Sequence, residues 1–119
     1  MKAAEERYKV ILPQRGTFLF GGPGLSIDHL LGLLAQTTGE PDKAAGHFED
    51  AIGLCRRAGY KPEMAWCLYE CADVLRERDA PGDRQKATAL LSESLAISSE
   101  LGMKPLMERV LARKTILKA

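Results

Sequence analysis

Residues 59–62 read Gly-Tyr-Lys-Pro, and residues 102–105 read Gly-Met-Lys-Pro, so the same turn returns 43 residues further on. Glycine adopts the left-handed conformation that closes a helix, and proline suits the first turn of the next one. Each copy of the turn therefore reads as helix end, short link, helix start. It follows, both times, a stretch in which apolar residues recur at three and four. A turn recurring at this period marks a helical repeat architecture. Such arrays build binding surfaces and seldom carry catalysis on their own.

Working outward, the helix that ends at Gly59 starts near Asp42 and carries Ala44, Phe48, Ala51, Ile52 and Cys55 as one apolar stripe. Pro62 opens its successor, with Met64, Leu68, Cys71, Ala72 and Leu75 inward. Residues 80–83, Ala-Pro-Gly-Asp, form a turn. The helix that closes at Gly102 carries Ala87, Leu91, Ser94, Leu95 and Ser98. Pro105 opens a last helix with Met107, Val110 and Leu111 inward. Upstream, residues 27–37 form a helix capped by Ser26, with Asp28 in its first turn and Gly39 after it. Residues 2–12 form a further helix ending at Pro13, with Tyr8, Ile11 and Leu12 as its apolar side. Thr17-Phe18-Leu19-Phe20 reads as extended, and Gly21-Gly22-Pro23-Gly24 as a turn.

A shift of 43 places Gly39 on Gly82, Ala44 on Ala87, Phe48 on Leu91, Ile52 on Leu95, Pro62 on Pro105, Met64 on Met107 and Leu68 on Leu111. A shift of 37 places Leu31 on Leu68 and Ala35 on Ala72. The six-residue difference falls before Gly82, in a longer helix end and turn. The expected fold is all-α: a solenoid of antiparallel helix pairs with about six helices. Residues 1–25 supply an N-terminal helix, the tail of an earlier repeat, and an extended connector. Residues 26–119 carry the repeats and a closing helix.

Composition excludes several classes. Of 119 residues, 45% are hydrophobic and 28% charged, a soluble globular balance. A net charge of +1 lacks the strongly basic face that nucleic-acid binding needs. No apolar run approaches the roughly 18 residues of a membrane span, and the charged start has no signal-peptide pattern. Three cysteines, Cys55, Cys67 and Cys71, fit a reduced, cytoplasmic protein. They show no Cys-x-x-Cys spacing, so buried small hydrophobes are expected rather than a metal site. The glycine turn at 21–24 lacks the Gly-Lys-Ser/Thr of a phosphate loop. His29 and His47 stand in different helices without a nucleophile motif, so no catalytic residue, cofactor or enzyme activity is expected.

Leu31-Gly32-x-x-Ala35, then Gly39, then Ala44-x-x-x-Phe48-x-x-Ala51 resembles the tetratricopeptide repeat, in which small residues sit where helices touch and a large one interlocks. Gly32, Ala44 and Ala51 would be the small contacts and Phe48 the knob. In the second unit Leu91 and Ser94 replace Phe48 and Ala51. Met64-Ala-x-x-Leu68-Tyr69-Glu70-x-Ala72-x-x-Leu75, Gly82-Asp83-Arg84-x-x-Ala87-x-x-Leu90-Leu91 and Glu100-Leu101-Gly102-Met103 resemble the C-terminal repeats of bacterial LuxR-type ATPase regulators and adenylate-cyclase-like proteins. That resemblance implies a regulatory, partner- or effector-sensing role, without ATPase, cyclase or DNA-binding activity in this chain.

Transferring the repeat's register places His29, Leu33 and Gln36, then Trp66, Glu70 and Asp73, then Arg109 and Arg113 along one concave groove. The expected ligand is a protein or peptide. A small effector between Trp66 and the charged residues is the alternative, and a self-associating structural remnant of a larger regulator is a third reading. Trp66 is the only tryptophan, and exposed tryptophan and arginine are common binding hot spots. The shift of 43 sets Arg109 beside Trp66 and Arg113 beside Glu70. Fewer than three complete repeats also implies a homodimer, since about three are needed to bury their faces.

Overall fold

In the computed structural model, which describes residues 2–18 and 26–118, there are six α-helices, the last five joined by links of a few residues and the first set apart by a longer connector. They are α1 (Lys2–Ile11), α2 (Ile27–Thr37), α3 (Pro41–Ala58), α4 (Lys61–Arg78), α5 (Asp83–Leu101) and α6 (Lys104–Lys118). Each helix packs on its neighbour in sequence, and α4 also meets α6. This is the all-α, antiparallel repeat arrangement expected from the recurring turn.

The helix ends follow the local chemistry. Ser26 caps α2, its Oγ accepting the His29 N–H at 2.9 Å. Gly59 and Gly102 are left-handed, with φ of 70° and 69°, and close α3 and α5. Asp79 ends α4 at φ 50°, a rare conformation for a non-glycine residue that aspartate tolerates. A bidentate Arg78–Asp83 pair, at 2.8 and 2.9 Å, holds the following turn, and Asp83 also accepts the Ala80 N–H. Pro13 does not simply stop α1: a 3₁₀ turn, Leu12–Gln14, follows it. In the connector, Phe18 forms an antiparallel bridge with Ser26, and the Ile27 N–H reaches the Thr17 carbonyl at 2.8 Å. The glycine turn at 21–24 and residues 19–20 of the extended segment lie outside the described residues.

The core assembles from the stripes. Ala44, Phe48, Ala51, Ile52, Leu68, Ala72 and Leu91 are buried, while Leu95 is half-buried. Gly32 is where the first two repeat helices touch: a Cβ there would stand 2.6–2.8 Å from three atoms of the Phe48 ring. In the second repeat Ser94 takes the place of Ala51. It stays fully buried because its hydroxyl donates to the Ala65 carbonyl at 2.8 Å. One register differs. Leu111 is 49% exposed, and Leu106, Val110 and Leu117 are the buried residues of α6 among those described, with Met107 half-buried. The central α4 is packed on several sides, so most of its positions are buried. Among the described residues α6 packs chiefly on α5, with a smaller contact to α4, so only a narrow stripe is covered and the shift of 43 misassigns Leu111.

Ion pairs cross from each repeat to the next. Arg56 forks onto Glu93 at 2.9 and 3.2 Å, Lys86 reaches Glu49, and Lys61 reaches Glu100 at 3.1 Å. These partners stand 37 to 39 residues apart, close to the repeat length. They are solvated, and each is worth about 0–1 kcal/mol. They fix register more than they add stability.

Candidate functional site

The face built by α2, α4 and α6 carries the residues singled out from the sequence. Trp66, Glu70 and Asp73 form one ridge of α4, since residues three and four apart share a helix face. Arg109 and Arg113 form the facing ridge of α6. The ridges lie side by side. The Arg109 guanidinium stands over the Trp66 ring, 5.6 Å from its centroid, and that of Arg113 over Tyr69 at 5.8 Å. Trp66 meets Tyr69 edge to face at 6.2 Å. The tryptophan is half-buried: one side packs on the core, and the rest carries the arginine.

The charges divide into a locked pair and an open pair. Arg113 Nε donates to Asp73 Oδ1 at 2.7 Å, and Arg76 lies 3.5 Å from the same oxygen. Asp73 and Arg113 therefore brace α4 against α6. Glu70 and Arg109 make no ion pair among the described residues. Burial pushes the Glu70 carboxyl above its ordinary range, against the opposing pull of His29 and the two arginines. A half-buried carboxylate without a salt-bridge partner gains from any cation that docks on it.

On α2, Leu33 and Gln36 are half-buried, and Gln36 edges a small cleft of about 110 Å³ with Pro41, Val74 and Glu77. His29 sits lower. It is 6% exposed, and its Nδ1 lies 2.9 Å from Glu63 Oε2, which also accepts the Ser26 N–H at 2.7 Å. His29 thus couples α2 to α4 from beneath the face. Its other ring nitrogen, Nε2, is buried without a partner.

Two clusters were not legible as motifs. Donor atoms of His29, Glu63 and Cys67 lie within 4.8 Å of one another, all three residues buried. The neighbouring Cys55 thiol, across α3 and α4, together with burial pushes the Cys67 thiol above its ordinary range. Cys71 stands apart, pushed up to about 12 by burial. In the second cluster, Tyr8 Oη and His47 Nε2 are 2.7 Å apart, and His47 Nδ1 lies 3.2 Å from Asp28 Oδ1. The Gly16 N–H donates to Asp28 Oδ2 at 2.6 Å. This relay fastens α1 and the connector onto α2 and α3. A cleft of about 480 Å³, lined by Tyr8, Leu12, Glu40 and Lys43 among others, lies beside it and away from the α2–α4–α6 face. Among the described residues no helix is long and apolar enough to cross a membrane.

A sequence model of the tetratricopeptide repeat matches residues 25–100, from the cap of α2 to the end of α5. No curated protein and no solved structure gives a significant match.

Proposed function

The chain belongs to the tetratricopeptide repeat family, and from that premise we propose that it is a recognition module whose α2–α4–α6 face binds a peptide segment of mixed charge. Repeats of this family are interaction scaffolds, not catalysts, and they bind proteins or peptides. The single observation that supports the choice of face is the open pair beside the tryptophan. Arg109 stands over Trp66 and Glu70 lacks an ion pair, whereas Asp73 and Arg113 satisfy one another. A peptide carboxylate would take Arg109, a peptide lysine or arginine would take Glu70, and an apolar side chain would cover Trp66. Leu33 and Gln36 extend the surface toward α2. On this reading residues 1–25 supply an N-terminal helix, the tail of an earlier repeat, and a connector, and the module serves a regulatory sensor or scaffold.

Peptides selected on the immobilised protein from a displayed random library test the reading. Trp66→Ala combined with Arg109→Ala should weaken the selected peptides at least tenfold, about 1.4 kcal/mol, with helicity unchanged. Full affinity in that double variant would move the recognition surface to the cleft beside Tyr8.

A further inference from the structure

We propose that His29, Glu63 and Cys67, with the thiol of Cys55 as fourth donor, form a buried site for a zinc-like divalent transition-metal ion. His29 comes from the first turn of α2, Cys55 from the last turn of α3, and Glu63 and Cys67 from successive turns of α4. The antiparallel repeat brings them together although no two of them share a metal-binding motif in sequence. One donor atom from each of His29, Glu63 and Cys67 lies within 4.8 Å of the other two. Tetrahedral zinc with its usual bond lengths spaces its donors about 3.3–3.8 Å apart. Side-chain adjustments of about an ångström therefore close the set.

Three further observations point the same way. A second thiol is at hand for the fourth position, because Cys55 of α3 and Cys67 of α4 are both fully buried in the same core where these helices pack. Imidazole, carboxylate and two thiols are the donor types zinc takes. His29 Nδ1 and Glu63 Oε2 are 2.9 Å apart, so an ion taking the place of the proton they share meets both donors. Glu63 Oε2 receives both the Ser26 N–H and the His29 nitrogen, which leaves Oε1 outside those bonds. The ion would tie α2, α3 and α4 at the junction of the two repeats, directly beneath the peptide-binding face.

The second cluster provides a contrast. Asp28, His47 and Asp50 also converge, but Asp50 is exposed, His47 is only half-buried, and there is no thiol.

Cobalt(II) tests the site, since thiolate ligation gives it a charge-transfer absorption that carboxylate or imidazole alone does not. The reduced full-length chain is titrated with cobalt under anaerobic conditions. The expected result is one equivalent bound with a thiolate-to-cobalt band, displaced by one equivalent of zinc, and a thermal midpoint raised by zinc. Cys67→Ser and His29→Asn should each lose at least tenfold in affinity. Cys71→Ser, altering a buried thiol outside the cluster, and His47→Asn, in the second cluster, should bind as the parent does. Absence of the band in the parent overturns the proposal. So does a folded Cys67→Ser that binds as tightly as the parent, or a Cys71→Ser that binds as poorly as Cys67→Ser. Should Cys67→Ser and His29→Asn fail to fold, the parent's own spectrum and stoichiometry decide.

Discussion

Replacing Gly32 by alanine places one methyl group against the ring of Phe48, and the structure gives the cost. The new Cβ would stand 2.6, 2.7 and 2.8 Å from Cε1, Cδ1 and Cζ, well inside the separation of about 3.5–4.0 Å at which carbon atoms attract. Phe48 is fully buried in the centre of the first repeat, so its ring cannot swing into solvent. Overpacking of this kind costs about 1–3 kcal/mol. Alanine also gains about 0.8–1.0 kcal/mol over glycine inside a helix, so the single substitution shows only the difference. A double-mutant cycle removes the ambiguity. In a Phe48→Ala background the contact is gone, and Gly32→Ala should then stabilise by its helix propensity alone. The helix contribution is common to both backgrounds, so the coupling energy isolates the contact at about 1–3 kcal/mol. Phe48→Ala by itself should cost about 3–5 kcal/mol. Urea unfolding followed by far-ultraviolet circular dichroism measures all four corners, and Phe48→Leu serves as a milder background should Phe48→Ala be too unstable. If Gly32→Ala had the same effect with and without the ring, Gly32 and Phe48 would not interlock and the repeat register would be wrong.

Glu70 provides a pH prediction. Its carboxyl is raised above the ordinary value of 4.5 by burial, so the folded state holds the proton more tightly than the unfolded chain does. The contribution to stability is complete below pH 4.5 and is lost as the pH rises through the higher folded value. Glu70→Gln should therefore stabilise the protein at neutral pH, with the gain vanishing near pH 4; thermal melts across that range check it, and a loss at neutral pH would place a cation on Glu70. Self-association is expected through the edge that α1 presents, where Val10 is 73% exposed. Sedimentation at micromolar concentration should show a dimer that Val10→Glu dissociates, and a monomeric parent would refute it.

Much of the fold was legible because its determinants are local. Ser26, Gly59 and Gly102 fix helix ends by backbone chemistry, and the stripe from Ala44 to Cys55 fixes the face that α3 buries. What escaped depends on how many neighbours a helix has. The same spacing puts Leu68 in the core of a surrounded helix and Leu111 at the surface of one packed on fewer sides. The register carried over from the resembling repeat likewise assigned His29 to the binding face, whereas its depth is set by Glu63, 34 residues away. The cross-repeat pairs did leave a trace, since Arg56 and Glu93 or Glu49 and Lys86 are opposite charges one repeat apart. The Tyr8–His47–Asp28 relay and the Cys55–Cys67 contact left no such trace. Their partners need only meet in space.

The central claim is that the α2–α4–α6 face is where this repeat meets its partner. Trp66, the only tryptophan, lies in that face under the Arg109 guanidinium and reports on it directly. The decisive measurement is its fluorescence during titration with a peptide selected on the protein. The account predicts a saturable shift in emission, with an affinity that Arg109→Ala lowers at least tenfold and that rises above pH 4.5 for a peptide whose lysine or arginine meets Glu70. A peptide that binds, by calorimetry, while the emission of Trp66 stays unchanged and Arg109→Ala binds as the parent does would contradict it.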